Sequence, residues 1–201
     1  MKDSIQLTLF FNEGTMYNPA VLSSKIIKKY PEIANPIILP INTEAPKEAN
    51  VPFIVFNQNL NFQLLSNFNN LTITLKDSFI EKNVEIICGV YDILSGESIK
   101  MNRIGYVPTI LLDKDRDKEF RSKYMISDDL TDVVDYQFSW LKNLKMGDLV
   151  FNCWERTITD SANIKGLLKI YDFNTKPKDK VDINKKFIKD FINYCNKYID
   201  K

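Results

Sequence analysis

Hydrophobic and polar residues alternate along several stretches of the chain, which is the pattern of half-buried β-strands. The first stretch is SIQLTLFF (4–11), in which Ile5, Leu7, Leu9 and Phe11 share one face. NLNFQLL and LTITL alternate in the same way, and the polar residues SNFNN between them are typical of a hairpin connection. We therefore predict a strand at 4–11 and an antiparallel meander over residues 52–75.

Apolar residues three and four positions apart predict helices elsewhere in the chain. YNPAVLSSKIIKKYP predicts a helix over residues 19–30, with Asn18 as its N-cap and Pro19 as its first residue. KDSFIEKNVEIICGVYDILSGES predicts a second helix that ends at Gly96, although Gly89 lowers its helix propensity. DINKKFIKDFINYCNKYID carries the strongest apolar stripe and predicts a long C-terminal helix.

The remaining segments complete the order of elements. NPIILPINTEAPKEANVP (35–52) contains four prolines and predicts a short extended piece followed by a loop. IGYVPTILL, DLVFNCWERTIT and GLLKIYDFNT predict strands. DKDRDKEFRSKYM predicts a charged loop or short helix at the surface, and DDLTDVVDYQFSWLKNLK predicts a further short helix. This order indicates an α+β fold, a mainly antiparallel sheet packed by an N-terminal, a middle and a long C-terminal helix. We expect one domain spanning residues 1–201.

The composition excludes several kinds of catalytic site. The chain has no histidine, which removes Ser-His-Asp and Cys-His catalysis and histidine-containing zinc sites. Cys88, Cys153 and Cys195 are far apart in sequence and suit neither a disulfide framework nor a zinc site. The glycine-rich phosphate-binding motifs G-x-x-x-x-G-K-[ST] and G-x-G-x-x-G are both absent from the sequence. These exclusions favour a role that is not catalytic, and we predict no cofactor.

The charge is nearly balanced, with 27 basic and 26 acidic residues and a net charge of +1. This balance argues against a dedicated surface for nucleic acid or for an anionic membrane. The segment from Lys165 to Lys201 is richer in lysine, so a nucleic-acid contact there stays open beside a solvated helix face. The chain has neither a secretion signal nor 18 consecutive apolar residues, and we expect a soluble cytoplasmic protein without a membrane partner.

Acidic clusters offer the remaining route to metal chemistry. Residues 113–117 alternate aspartate with basic residues like the start of a calcium loop, but the glycine and the glutamate that such a loop needs are missing. Residues 128–135 contain four aspartates, an arrangement typical of a helix N-terminus. A magnesium-dependent nuclease that uses Asp148, Glu155 or Asp172 is an alternative, although the usual acid-x-Lys spacing is absent.

Four residues are candidates for binding. If VFNCWERTI is a regular strand, Trp154 and Arg156 share a face, where they suit a protein interface or a stacked base. Arg103 comes just before an apolar strand, and we expect it to bind a carboxylate, such as that of Asp172, as a structural clamp. Phe68 is a candidate exposed aromatic contact.

The order of segments resembles that of an uncharacterised, sporadically distributed family of bacterial proteins. The matching stretches are KKYPEI (28–33), NRIGYV (102–107) and YDFNT (171–175) before FIKDFINYCNKYI. The chain departs from the family pattern at Pro108, which interrupts the RIG strand. The family has no established activity, so the resemblance implies an architecture only.

These observations predict a non-catalytic binding or regulatory protein that acts through a protein partner. Abundant Asn, Ile and Lys suggest a genome rich in A and T, and small lone-domain proteins of such bacteria often belong to mobile elements. A role in phage defence or counter-defence, such as inhibition of a nuclease effector, is therefore our working expectation. The alternative is a small-molecule-binding domain of helix-grip type, in which a curved sheet and the C-terminal helix enclose an apolar cavity.

Overall fold

A nine-stranded antiparallel sheet forms the centre of the molecule in a computed structural model. The structure describes residues 2–31, 36–40, 51–58, 61–112, 119, 122–123, 137–159, 167–176 and 181–200. Its strands are β1 (Lys2–Phe11), β2 (Ile37–Ile38), β3 (Ile54–Gln58), β4 (Phe62–Ser66), β5 (Asn70–Lys76), β6 (Met101–Leu112), β7 (Gln137–Met146), β8 (Leu149–Thr159) and β9 (Leu167–Asn174). The α-helices whose bounds lie within the described residues are α1 (Pro19–Lys29), α2 (Asn83–Gly96) and α3 (Lys185–Ile199). The protein is therefore an α+β protein with a large antiparallel sheet.

The strands lie in the order β2-β3-β4-β5-β1-β6-β9-β8-β7. The first strand is thus central, between β5 and β6, and it joins the N-terminal meander to the late strands. Leu7 lies opposite Ile73 on one side and Tyr106 on the other, and all three side chains are buried. The predicted alternation of β1 is therefore present in the structure, and the pairing register of β1 with β5 and β6 buries its apolar face.

The buried face of the sheet, here called the inner face, carries the helices. Side chains of α1 and α2 belong to the same buried cluster as the inner face. Phe191 of α3 lies with its ring centre 5.1 Å from that of Phe151 on β8, and Tyr198 of α3 contacts Phe173 on β9 at 5.9 Å. The opposite face, here called the outer face, carries only half-buried and exposed side chains apart from Gly105, which is buried. None of the described helices is both long enough and apolar enough to cross a membrane.

An asparagine side chain caps the start of both α1 and α3, and the cap of α1 was predicted. The Asn18 side chain accepts hydrogen bonds from the backbone N–H groups of Ala20 and Val21, and Pro19 occupies the first helical position, as predicted. The Asn184 side chain accepts a hydrogen bond from the N–H of Phe187 at the start of α3. These contacts satisfy N–H groups that the first turn of a helix leaves free.

Two predicted elements are corrected. The segment DDLTDVVDYQFSWLKNLK was predicted as a short helix, but its described part is the strand β7, which pairs along its length with β8. The apolar residues Trp140, Leu141 and Leu144 have helical spacing, but Phe138 and Trp140 also fit the alternation of a strand. The two-residue turn Gly147-Asp148 closes the hairpin between β7 and β8. The middle helix begins later than predicted, because a 3-10 turn (Asp77–Phe79) precedes it.

Pro108 lies inside β6 without ending the strand. It faces Ile5 of β1, and the pairing of β6 with β9 is interrupted next to it, between Tyr106 and Thr109. A proline has no N–H to donate, so the ladder loses a hydrogen bond at this point. The strand continues because the residues on both sides of the gap keep the same register with β9.

Gly89 allows α1 and α2 to approach each other. A Cβ atom at this position would overlap the hydroxyl oxygen of Tyr30, which donates a hydrogen bond of 3.0 Å to the carbonyl of Ile86. We expect Gly89→Ala to destabilise the protein by about 1 kcal/mol, since overpacking outweighs the gain in helix propensity. Urea unfolding measures this change.

The same helix offers a matched control for that variant. A Cβ atom at Gly96 would meet no other atom within 4 Å, so Gly96→Ala should be neutral or stabilising. In a Tyr30→Phe background the cost of Gly89→Ala should shrink, because the hydroxyl oxygen is gone. Equal costs in the two backgrounds would show that Tyr30 is not the obstacle.

Candidate functional site

The outer face of β6, β9, β8 and β7 is the candidate site, because three of the four predicted binding residues lie on it. In β8, Asn152, Trp154 and Arg156 point outward, while Phe151, Cys153 and Glu155 point inward and are buried. The predicted alternation of this strand is therefore confirmed. Arg103 of β6 lies on the same face, since it is opposite the outward Phe10 of β1.

Trp154 is the centre of an apolar patch at the β7 end of this face. Its neighbours across the strands are Leu141 of β7 and Asp172 of β9. The patch consists of Trp154 and Leu141, whose exposed fractions are 38% and 46%. Val150 is 39% exposed on the same face, four residues before Trp154 in β8, with Asn152 between them. Sequence reasoning missed Leu141 because it interpreted this segment as a helix. The alternation of QFSWLKNLKM is the signal that would have placed Leu141 beside Trp154.

Arg156 is anchored next to this patch by a carboxylate. Its guanidinium lies 3.4 Å from Asp172, and the Asn174 side-chain amide also donates a hydrogen bond to Asp172. This contact pairs Arg156 with an acid of the neighbouring strand β9. Because Asp172 holds Arg156 in place, Arg156 loses less side-chain entropy when it contacts a partner.

Arg103 does not form the predicted clamp with Asp172. Its guanidinium instead lies over the ring of Phe10, 3.5 Å from the ring centre, and Asp172 binds Arg156. Asn174 lies between Asp172 and Arg103. Its side-chain oxygen closely approaches Gly105, which is two residues after Arg103 in β6. Within the described residues, Arg103 has neither an ion pair nor a hydrogen bond, and its buried Nε atom lacks an acceptor. Burial lowers the pKa of Arg103 from a value so high that it stays charged near neutral pH.

Phe68 lies away from the outer-face patch. It belongs to the turn between β4 and β5, and its ring packs on Phe53 at 4.6 Å and on Tyr17 at 5.5 Å. Tyr17 also donates a hydrogen bond to the carbonyl of Asn67 beside it. The Phe68 ring is thus half-buried in an aromatic cluster beside the meander, and its binding role stays a prediction.

The outer face is more basic than the chain as a whole. In the regularly paired part of the described strands its cations are Arg103, Arg156, Lys76 and Lys145, and its carboxylate is Asp172. Between the two arginines runs a row of uncharged polar side chains, formed by Thr8, Asn174, Asn152 and Asn143. A surface of this kind favours a partner that presents carboxylates or phosphates.

A second polar cluster lies on the inner face, between β7 and α3. The buried carboxylate of Glu155 accepts hydrogen bonds from Lys142 at 2.6 Å, from Tyr198 at 2.5 Å and from Trp140 at 3.2 Å. Burial alone would raise the pKa of Glu155, but the hydrogen bonds from Lys142 and Tyr198 and the lysine charge outweigh it, so the pKa is lowered. Burial raises the pKa of Tyr198 to about 12. The cluster is a satisfied structural network that links β7, β8 and α3.

The acids of the nuclease alternative are not brought together. Glu155 points to the inner face and is bound by Lys142, whereas Asp172 points to the outer face and is bound by Arg156. Asp148 lies in the turn between β7 and β8. Across the described residues, no group of three metal-ligating side chains occurs. The aspartates at 113–117 and 128–135 lie outside those residues.

The space between the sheet and α3 is filled by side chains. Tyr106, Phe151, Phe173 and Phe191 are fully buried there, and their rings contact one another. This is where the helix-grip alternative places its cavity. A surface pocket of about 530 Å³ lies elsewhere, between the end of α2 and the start of β6, and Tyr91, Lys100 and Asp182 are among its lining residues.

No protein family matches the chain, and no curated protein is significantly similar to it. The resemblance to a sporadically distributed bacterial family therefore stays a prediction, and function has to be argued from the outer face itself.

Proposed function

We propose that the protein is a non-catalytic binding protein that acts through a protein partner, and that the patch on the outer face is its contact surface. The observation that carries the proposal is the exposed indole of Trp154, with Leu141 opposite it on β7. Tryptophan and arginine dominate the binding energy of protein interfaces, and an anchored arginine next to an exposed tryptophan is typical of an interface centre.

The charge of the outer face narrows the chemistry of the partner. Arg103 is a cation without an acid among the described residues, and its guanidinium lies over the Phe10 ring, 3.5 Å from the ring centre. A carboxylate of a protein partner would neutralise it with a bidentate contact. The partner is thus an acidic protein surface with an apolar centre. Inhibition of a nuclease effector in phage defence or counter-defence is one role of this kind, and it remains a proposal.

The test is capture of the partner from host lysate, treated with nuclease, followed by affinity measurement with the purified partner. We expect Trp154→Ala to weaken the affinity at least tenfold, which is about 1.4 kcal/mol. Val21→Ala is the matched control, because Val21 is also apolar and 40% exposed but lies on α1. It should bind like the wild type.

Two results would overturn this proposal. A captured partner with equal affinity for the wild type and for Trp154→Ala would show that the patch is not the contact surface. Capture that disappears after nuclease treatment would show that a nucleic acid, not a protein, is recognised. In that case the aromatic and basic side chains of the outer face would act as a stacking platform.

A further inference from the structure

β7 is a long strand at one edge of the sheet that the described strands form. Among the described residues it pairs with β8 alone, and it is ten residues long, whereas β2 at the other edge has two. An edge strand presents unpaired N–H and C=O groups, and proteins usually shorten or cover such an edge. A ten-residue edge strand is therefore a template for a further strand.

We propose that β7 pairs antiparallel with β7 of a second copy of this chain, with Leu141 opposite Leu141 of that copy. The inference concerns self-association and does not depend on the proposed function. Two observations carry it: the sequence of β7 is complementary to itself in this register, and the patch around Trp154 reaches the edge at Leu141.

Symmetry restricts the register. We consider two sheets that join through a twofold axis perpendicular to them. Residues that lie opposite each other are then on the same face of the joined sheet. One residue of the strand therefore lies opposite its own copy, and the pairing is centred on that residue. Centring on Leu141 pairs residues 137–145, and centring on Lys142 pairs residues 138–146. Centring on Trp140 or Asn143 pairs fewer residues of the strand. The choice is therefore between Leu141 and Lys142.

Charge decides between these two registers. Centring on Lys142 places two lysines directly opposite each other, which destabilises an antiparallel pair. Centring on Leu141 places Lys145 opposite Gln137 on the outer face and Lys142 opposite Trp140 on the inner face. The second contact brings an ammonium group to an aromatic ring, which is favourable. No like charges meet in this register.

Apolar surface favours the same register. Leu141 is 46% exposed in the single chain, and its neighbour across β8 is Trp154. In the dimer the two leucines lie side by side, and the two patches become one apolar row that crosses the joined edge. On the inner face Phe138 lies opposite Leu144, which adds a further apolar pair.

Cysteine cross-linking tests both the dimer and its register. The three native cysteines are buried, so the wild type should not cross-link under mild oxidation. We expect Leu141→Cys to give a disulfide-linked dimer, and Asn143→Cys, as its control, to stay monomeric, because the two positions 143 lie about 13 Å apart. Adding Ser139→Cys to Asn143→Cys should restore the cross-link. A dimer linked through Lys142→Cys and not through Leu141→Cys would overturn the register.

Light scattering of the purified chain tests the dimer without cysteines. We expect a wild-type dimer and a folded monomer for Leu141→Glu, since two glutamates would meet at the axis. Val150→Glu changes an exposed residue of the same face that is one strand away from the edge, and it should remain dimeric. A wild type that is monomeric at every concentration, or a Leu141→Glu variant that is still dimeric, would overturn the proposal.

Discussion

Replacing Lys142 with methionine should destabilise the protein by about 2–3 kcal/mol at neutral pH. Lys142 is the charged donor to Glu155, whose side chain is 6% exposed, and the contact measures 2.6 Å. Without it the carboxylate keeps only the neutral donors Tyr198 and Trp140. A buried charge that loses its counter-charge costs more than the pair contributed.

The pH dependence of this loss has a definite sign. In the wild type the pKa of Glu155 is lowered, so its stabilising contribution is present above the unfolded pKa of about 4.3 and is lost as the pH falls through the folded pKa. In Lys142→Met burial should raise the pKa of Glu155, and protonation then relieves the penalty. The difference in unfolding free energy between wild type and variant should therefore shrink from pH 7 to pH 4.

Urea unfolding at several pH values measures this difference. Lys145→Met is the matched control, because Lys145 is an exposed lysine of the same strand on the outer face. It should change stability by less than about 0.5 kcal/mol at every pH. A cost of Lys142→Met that stays constant from pH 7 to pH 4 would show that Glu155 is not the group that Lys142 stabilises.

The network around Glu155 shows where sequence reasoning reaches its limit. Residues of β8 alternate between the two faces of the sheet, so the position of Glu155 in the sequence predicts its face. The structure places Glu155 on the buried face. Its donors come from β7 and from α3, and β7 was interpreted as a helix. Lys142 and Trp140 would follow from the hairpin once β7 is recognised as a strand, whereas Tyr198 depends on how α3 packs on the sheet, which local periodicity does not contain.

Elements with a strong local pattern were predicted well. β1, the hairpin β4–β5, α1 and α3 follow from alternation or from an apolar stripe bounded by a cap, and each is close to its predicted range. Gly89 argued against α2 by propensity alone. The structure explains this residue by the approach of Tyr30, a tertiary reason that outweighs local preference.

The candidate site was predicted only in part, because the period of one strand does not specify which residues of other strands lie beside it. The shared face of Trp154 and Arg156 follows from the period of one strand. The partner of Arg103 was assigned to Asp172 from residue types, but the sheet register brings Arg156 to Asp172 and Phe10 to Arg103. Cross-strand pairs are set by the register, and one strand alone does not specify it.

Replacing Phe191 with alanine should give the largest loss of stability, about 3–5 kcal/mol. Phe191 is fully buried on α3, and its ring lies 5.1 Å from that of Phe151 and 5.9 Å from that of Phe187. The variant loses the burial of the ring and leaves a cavity between α3 and the sheet. Urea unfolding of the wild type and the variant measures the loss.

Phe187 provides the matched control within the same helix. It lies one turn earlier and is partly buried, so Phe187→Ala should cost about 1 kcal/mol. If Phe191→Ala does not fold, Phe191→Leu keeps most of the volume and should cost about 1–1.5 kcal/mol. Equal losses for alanine at positions 187 and 191 would show that α3 is not held to the sheet through Phe191.

A small apolar probe then distinguishes a filled core from a ligand cavity. Benzene should raise the melting temperature of Phe191→Ala, because an apolar cavity of ring size binds it, and should leave the wild type unchanged. This result is expected because Phe191 contacts Phe151 where a helix-grip protein would hold its ligand. If benzene stabilises the wild type as strongly as the variant, a cavity already exists beneath α3. The small-molecule alternative would then replace the protein-binding proposal as the better account of the inner face.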